Sequence, residues 1–179
     1  NEALDKRASD ENWSTEMRDE ASLGSSEFQS EFARIVHGRQ LLEEDQGLHR
    51  AFSLMNKAMA HASRGKYDAW RPFQFAFLLA NLKCLVETKT ETEIVDVVWF
   101  ATGGGKTETY LGLLITAAFL DRLRGKLSGI TAWSRFPLRM LSLQQTQRFA
   151  NAIAGAEIVR EQERIDGDPF SLGFLVGGA

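Results

Sequence analysis

The chain has one cysteine, three prolines and three histidines among its 179 residues. A single Cys84 cannot close an internal disulfide, so a disulfide scaffold is excluded and a reducing, cytoplasmic setting is expected. His37, His49 and His61 stand twelve apart with no cysteine or carboxylate at ligand spacing beside them, which argues against a metal cage. Long apolar runs are missing as well. The longest, "YLGLLITAAFL", falls well short of the roughly 20 residues a membrane-spanning helix needs. A membrane partner is therefore not expected. Downstream of Gly105 no Asp-Glu pair occurs. Strong overall charge is also lacking, at a net −3, but the distribution is uneven. Residues 1–45 carry 5 Lys/Arg against 12 Asp/Glu, and residues 46–179 carry 16 against 12. The mildly basic remainder permits an anionic partner without requiring one.

What is present divides into an acidic lead-in (1–26), a helical N-terminal segment (27–92) and an alternating segment (93–179). The lead-in, closed by Gly24, Ser25 and Ser26, reads as poorly ordered or partly helical. In the second segment Phe28, Phe32, Ile35 and Val36 fall at helical spacing, with Ser26 as the expected N-cap. Leu48, Phe52, Met55 and Met59 repeat the pattern, and Gly65 closes it. A third apolar helix begins with Pro72 in its first turn, where a missing N–H costs nothing. At Ile94 the pattern changes. "IVDVVWF", "GITAWS" and "SLGFLVGG" read as short strands, separated by helices that start near Lys106 and Pro137. Strand–helix alternation predicts an α/β fold with a parallel sheet, preceded by an all-helical segment. The chain does not start on Met and ends on "LVGGA" after an expected strand, so it reads as the N-terminal part of something longer.

The chemistry concentrates in "WFATGGGKTETYLG". A glycine turn between a buried strand and a helix suits phosphate binding for a definite reason. Main-chain N–H groups of Gly103, Gly104 and Gly105 can converge on phosphate oxygens only where no side chain blocks the approach. The first turn of the next helix adds unpaired N–H groups and its positive dipole end. Lys106 neutralises β/γ-phosphate charge, and the Thr107 hydroxyl suits Mg²⁺. The plainer alternative is a glycine hinge with Lys106 and Thr107 as ordinary helix-start residues.

Phe100 breaks the strict Walker pattern, which wants glycine six places before the lysine. Yet "FATGGGKT" resembles motif I of superfamily 2 helicases and translocases, commonly Ala-x-Thr-Gly-x-Gly-Lys-Thr. Thr102, Gly103, Gly105, Lys106 and Thr107 match. "SRFPLRMLSLQQ" resembles motif Ia, commonly Pro-Thr-Arg-x-Leu-x-x-Gln, through Pro137, Arg139, Leu141 and Gln144, with Leu138 replacing the threonine. "WRPFQFAFL" resembles a Q-motif-like element. Together these cover about residues 70–178. More narrowly, the two longer stretches look like the helicase subunit family of the DISARM bacterial anti-phage systems.

The resemblance implies the first part of a RecA-like P-loop lobe that binds ATP with Mg²⁺. It implies Lys106 and Thr107 as catalytic residues and Thr107 as the metal ligand. Adenine would meet the Gln74 amide and the planes of Phe73, Trp70 or Arg71. The loop residues Thr102 through Thr107 would hold the phosphates, and Arg135, Arg139 and Gln144 would lie along a nucleic-acid backbone. DNA is the expected polymer, with RNA left open, and a partner subunit of a defence complex is implied. For Arg139 the alternative is an amphipathic helix with its arginines in water; for Gln74 it is the buried face of a helix. Hydrolysis in this superfamily also needs an Asp-Glu motif, which does not occur after Gly105, and an arginine finger from a second RecA-like lobe. Asp166 and Asp168, in "RIDGDPF", read as turn residues. The competing class is a P-loop nucleotide switch or interaction module without translocation.

Overall fold

The computed structural model describes residues 2–10, 12–87, 95–97, 105–135 and 139–175, and all regular structure among them is helical. The helices are α1 (Glu2–Ala8), α2 (Thr15–Glu44), α3 (Gln46–Ser63), α4 (Pro72–Asn81), α5 (Lys83–Val86), α6 (Lys106–Leu123) and α7 (Arg139–Gln162).

Each boundary has a local cause. The Ser14 hydroxyl accepts the Met17 N–H at 3.2 Å and starts α2, which then runs straight through Ser26. The expected start at Ser26 is thus displaced upstream. Ala21 and Ser25 are buried, and the Ser25 hydroxyl reaches Asp5 of α1 at 2.5 Å, so the lead-in is a helical hairpin. Asp45 ends α2 and starts α3. Its N–H donates to the Leu41 carbonyl at 2.9 Å, while its carboxylate accepts the Leu48 N–H at 2.9 Å. That N–H bond, seconded by the Arg124 guanidinium, holds the Asp45 carboxyl below its ordinary value. Arg64 in the left-handed region, followed by Gly65, closes α3. Arg71 is the extended N-cap of α4, and Pro72 opens the helix.

The core follows from apolar periodicity. Leu48, Ala51, Phe52, Met55 and Ala58 line the buried face of α3. α6 buries residues all round, so it sits among α3, α4 and α7. Leu48, Met55, Leu78, Leu82, Ile115, Phe119 and Val159 are fully buried and belong to one cluster. Residues on both sides of position 92 therefore share a core. The tail after α7 is stitched down: Phe170 meets Phe119 edge-on at 5.2 Å, and its N–H donates to Glu157 at 2.8 Å. Asp168 acts through its main chain, donating to the Leu127 carbonyl at 2.8 Å.

The expected α/β fold, with its parallel sheet and RecA-like lobe, is overturned. Among the described residues there is no strand: 95–97, 130–135 and 171–175 carry no regular secondary structure. Val95, Val97, Ile130, Trp133 and Leu175 are 70–85% exposed there. The physical reason is that β-branched and aromatic runs favour a strand only when a neighbour pairs its N–H and C=O groups. Here the core closes by helix-on-helix packing instead. Side chains fix the stretch after α6: Thr131 donates to Asp121 at 2.7 Å, and Lys126 donates to the Ile130 carbonyl at 2.8 Å.

Candidate functional site

The site is built where the N-termini of α4 and α6 meet the first half of α7. Gly105 caps α6 with φ +93°, a left-handed conformation that suits glycine, and no side chain caps the helix end. A Cβ on Gly105 would also lie 2.6 Å from the Gln74 amide nitrogen. Lys106 and Thr107 form the first helical turn, and Thr107 is buried.

Gln74 links α4 to this turn. Its side-chain oxygen accepts the Arg71 N–H at 2.9 Å, and its NH₂ donates to the Gly105 carbonyl at 2.8 Å. Only 6% of the residue is exposed, so its amide faces these main-chain groups rather than open solvent. Trp70 is equally committed. Its indole N–H donates to Asn56 at 2.6 Å, and its ring edge lies against α6 at Gly112. Phe73 is half-buried, and Arg71 is exposed.

α7 closes the other side. The Thr107 hydroxyl donates to Gln145 at 3.3 Å and accepts from Arg148 at 2.8 Å. The second arm of Arg148 pairs with Glu108, and the Tyr110 hydroxyl donates to the same Gln145 oxygen at 3.2 Å. The other Glu108 oxygen is buried with no hydrogen-bond partner among the described residues.

A phosphate group fits the end of α6: a helix terminus with no side-chain cap among the described residues, a glycine in the left-handed region and Lys106 provide N–H donors and positive charge. The Thr107 hydroxyl suits Mg²⁺ only once Arg148 leaves it, because a cation already holds that oxygen. The described residues contain no cluster of three or more His, Cys, Asp or Glu able to hold a metal.

The comparisons bear on the same sequence. Over 178 residues the chain is 38% identical to "DISARM protein DrmA" of Bacillus paralicheniformis, an alignment that takes in 83% of this chain. The chain is related to a DISARM protein. It spans 16% of the length of that relative. No family model matches the chain, and no solved structure matches it. Among the described residues no helix is long and apolar enough to cross a membrane.

Of the residues singled out in the sequence, the structure brings Gln74, Gly105, Lys106 and Thr107 together. Thr102, Gly103 and Gly104 lie outside the described residues, as do Pro137, Leu138 and the side chain of Arg139. Arg135 and Gln144 are exposed. Sequence reasoning passed over Gln145, Arg148 and Glu108. The available signal was helical spacing: Gln145 and Arg148 lie i, i+3 and share one face of α7.

Along α6 from the site, a cavity of 440 Å³ opens between Tyr110, Leu113, Leu114, Phe149 and Trp133. Its lining is mostly apolar, with Tyr110, Thr131 and Ser134 as its hydroxyl-bearing side chains, and it holds no charged group to meet a phosphate.

Proposed function

We propose that this chain is the nucleotide-binding part of an ATP-dependent DNA helicase or translocase of superfamily 2, acting on foreign DNA in bacterial anti-phage defence with a partner subunit. The observation that carries the reading is the contact of Gln74 with Gly105, 31 residues apart in sequence, at the glycine-capped start of α6. Two stretches chosen separately from the sequence as nucleotide-binding elements meet at one helix terminus. The relationship to a DISARM protein supports the defence setting.

In this reading Lys106 binds the β/γ-phosphates and Gly105 lets the main chain approach them. Thr107 provides the oxygen for Mg²⁺, and Arg135, Arg139 and Gln144 meet the DNA backbone. Bound Mg²⁺ supplies charge neutralisation for the phosphates. Lys106→Ala in the intact protein should abolish DNA-stimulated ATP turnover while leaving the helical circular-dichroism signal unchanged. Normal turnover in that variant would contradict the reading.

A second reading, a nucleotide switch without translocation, is favoured by one observation. The Thr107 hydroxyl is already engaged by Gln145 and Arg148, an arrangement that nucleotide binding would have to change. Arg139→Glu separates the two readings. A translocase loses DNA-stimulated turnover in this variant, whereas a switch keeps its nucleotide affinity and shows no DNA dependence to lose.

A further inference from the structure

We infer that Arg148 is a positioning residue acting through Thr107: it latches α7 onto the first turn of α6, and binding of Mg²⁺-nucleotide releases the latch. The inference rests on the nucleotide reading above and adds a residue and a helix to it.

The contacts are mutually exclusive with that reading's own requirement. The Thr107 hydroxyl accepts from the Arg148 guanidinium at 2.8 Å, and the oxygen is thereby next to a full positive charge. A divalent cation on the same oxygen would stand within a few ångströms of that guanidinium, which Coulomb repulsion strongly disfavours in a partly buried site. The Thr107 proton is also directed to Gln145, at 3.3 Å, and so points toward α7. Arg148 must therefore swing off Thr107 before the oxygen can serve a metal.

The rest of α7 explains what such a swing would move. Near its middle the helix crosses α3 closely enough that a Cβ on Gly155 would lie 2.4 Å from the Ala58 carbonyl oxygen. That crossing fixes the centre of α7, while Ala152, Ala156 and Val159 bury its inner face. On the first half of α7, Gln144, Gln147 and Arg148 are exposed, Phe149 is buried with its ring 6.1 Å from that of Tyr110, and the polar contacts to α6 among the described side chains run through Gln145 and Arg148. Undoing those polar contacts loosens the turn of α7 that carries Gln144 and Gln145, while the Phe149 packing and the Gly155 crossing hold. Nucleotide state at Thr107 is thereby transmitted to the helix end expected to face DNA.

The test uses the intact protein and the paired variant Glu108→Gln with Arg148→Met. The pair removes the latch without leaving the Glu108 charge facing the phosphates. Mg·ATP affinity should rise about tenfold, since an ion pair and a hydrogen bond no longer oppose binding. Affinity for ATP in EDTA should change far less, because the latch competes for the metal's oxygen. Hydrogen exchange over residues 139–150 should accelerate in the wild type when Mg·ATP is added, and should already be fast in the paired variant. Gln145→Leu, which leaves both charges in place, should show a smaller change in the same direction. Equal Mg·ATP affinity in wild type and both variants, or unchanged exchange over 139–150 on binding, overturns the latch. Loss of binding in the wild type and every variant overturns the nucleotide reading, and the latch with it.

Discussion

The side-chain amide of Gln74 donates to the main-chain carbonyl of Gly105 at 2.8 Å while its oxygen accepts the Arg71 N–H at 2.9 Å. One buried residue thus holds the start of α4 and the start of α6 in register. Replacing it with leucine leaves the Arg71 N–H and the Gly105 carbonyl without their partner, at a cost of about 1–3 kcal/mol. The consequence for binding is specific. Because the amide acts on main chain, Gln74→Leu should weaken ATP and GTP binding by similar factors. A loss confined to adenine nucleotides would instead assign Gln74 to the base.

Phe119 is fully buried and meets Phe170 edge-on at 5.2 Å. Phe119→Ala opens a cavity at the junction of α6, α3 and the stitched-down tail, and should destabilise the chain by about 3–5 kcal/mol. Urea unfolding measures it directly. A loss below about 1 kcal/mol would mean that the tail and α6 do not pack as described.

Gly155→Ala tests the crossing of α7 on α3. By intrinsic helix preference alanine should stabilise by about 1 kcal/mol. Its Cβ, however, would lie 2.4 Å from the Ala58 carbonyl oxygen, a main-chain atom that cannot move independently. Net destabilisation of about 1–3 kcal/mol is expected. A higher melting temperature for the variant would show that the helices are further apart.

How much of this was legible in the sequence depends on whether the signal was local. The α3 face of Leu48, Phe52 and Met55, the Pro72 start of α4 and the Lys106 start of α6 all follow from spacing, capping and proline chemistry within a few residues. The sheet was misread because β-branched runs such as "IVDVVWF" state a preference that only a paired neighbour can realise, and no sequence window contains the neighbour. Ser26 was misread for a related reason. Its capping chemistry is real, but the Ser25–Asp5 contact with α1 carries the helix past it. In the candidate site, Gly105, Lys106 and Thr107 were legible as a motif. Arg148 and Gln145 were not, since their role depends on α7 folding back across 41 and 38 residues onto Thr107.

Acid should loosen the ends of the bundle. Glu157 is held below its ordinary value near 4.5 chiefly by the Arg160 guanidinium, and also by the Phe170 N–H. Asp45 is held below its ordinary value near 3.8 chiefly by the Leu48 N–H, and also by Arg124. Both groups titrate lower when folded than when unfolded, so their stabilisation is complete above the unfolded values. It is lost as pH falls from about 4.5 through the depressed folded values. Glu157→Gln should flatten that acid limb in melting temperature against pH. An unchanged limb would remove Glu157 from the account.

The most direct test of the central claim is a calorimetric titration of the intact protein with Mg·ATP, run beside Lys106→Ala. The account predicts saturable binding in the wild type and its loss in the variant, with both proteins giving the same helical spectrum. Equal binding in the two proteins, or none in the wild type, would contradict a nucleotide site at the start of α6.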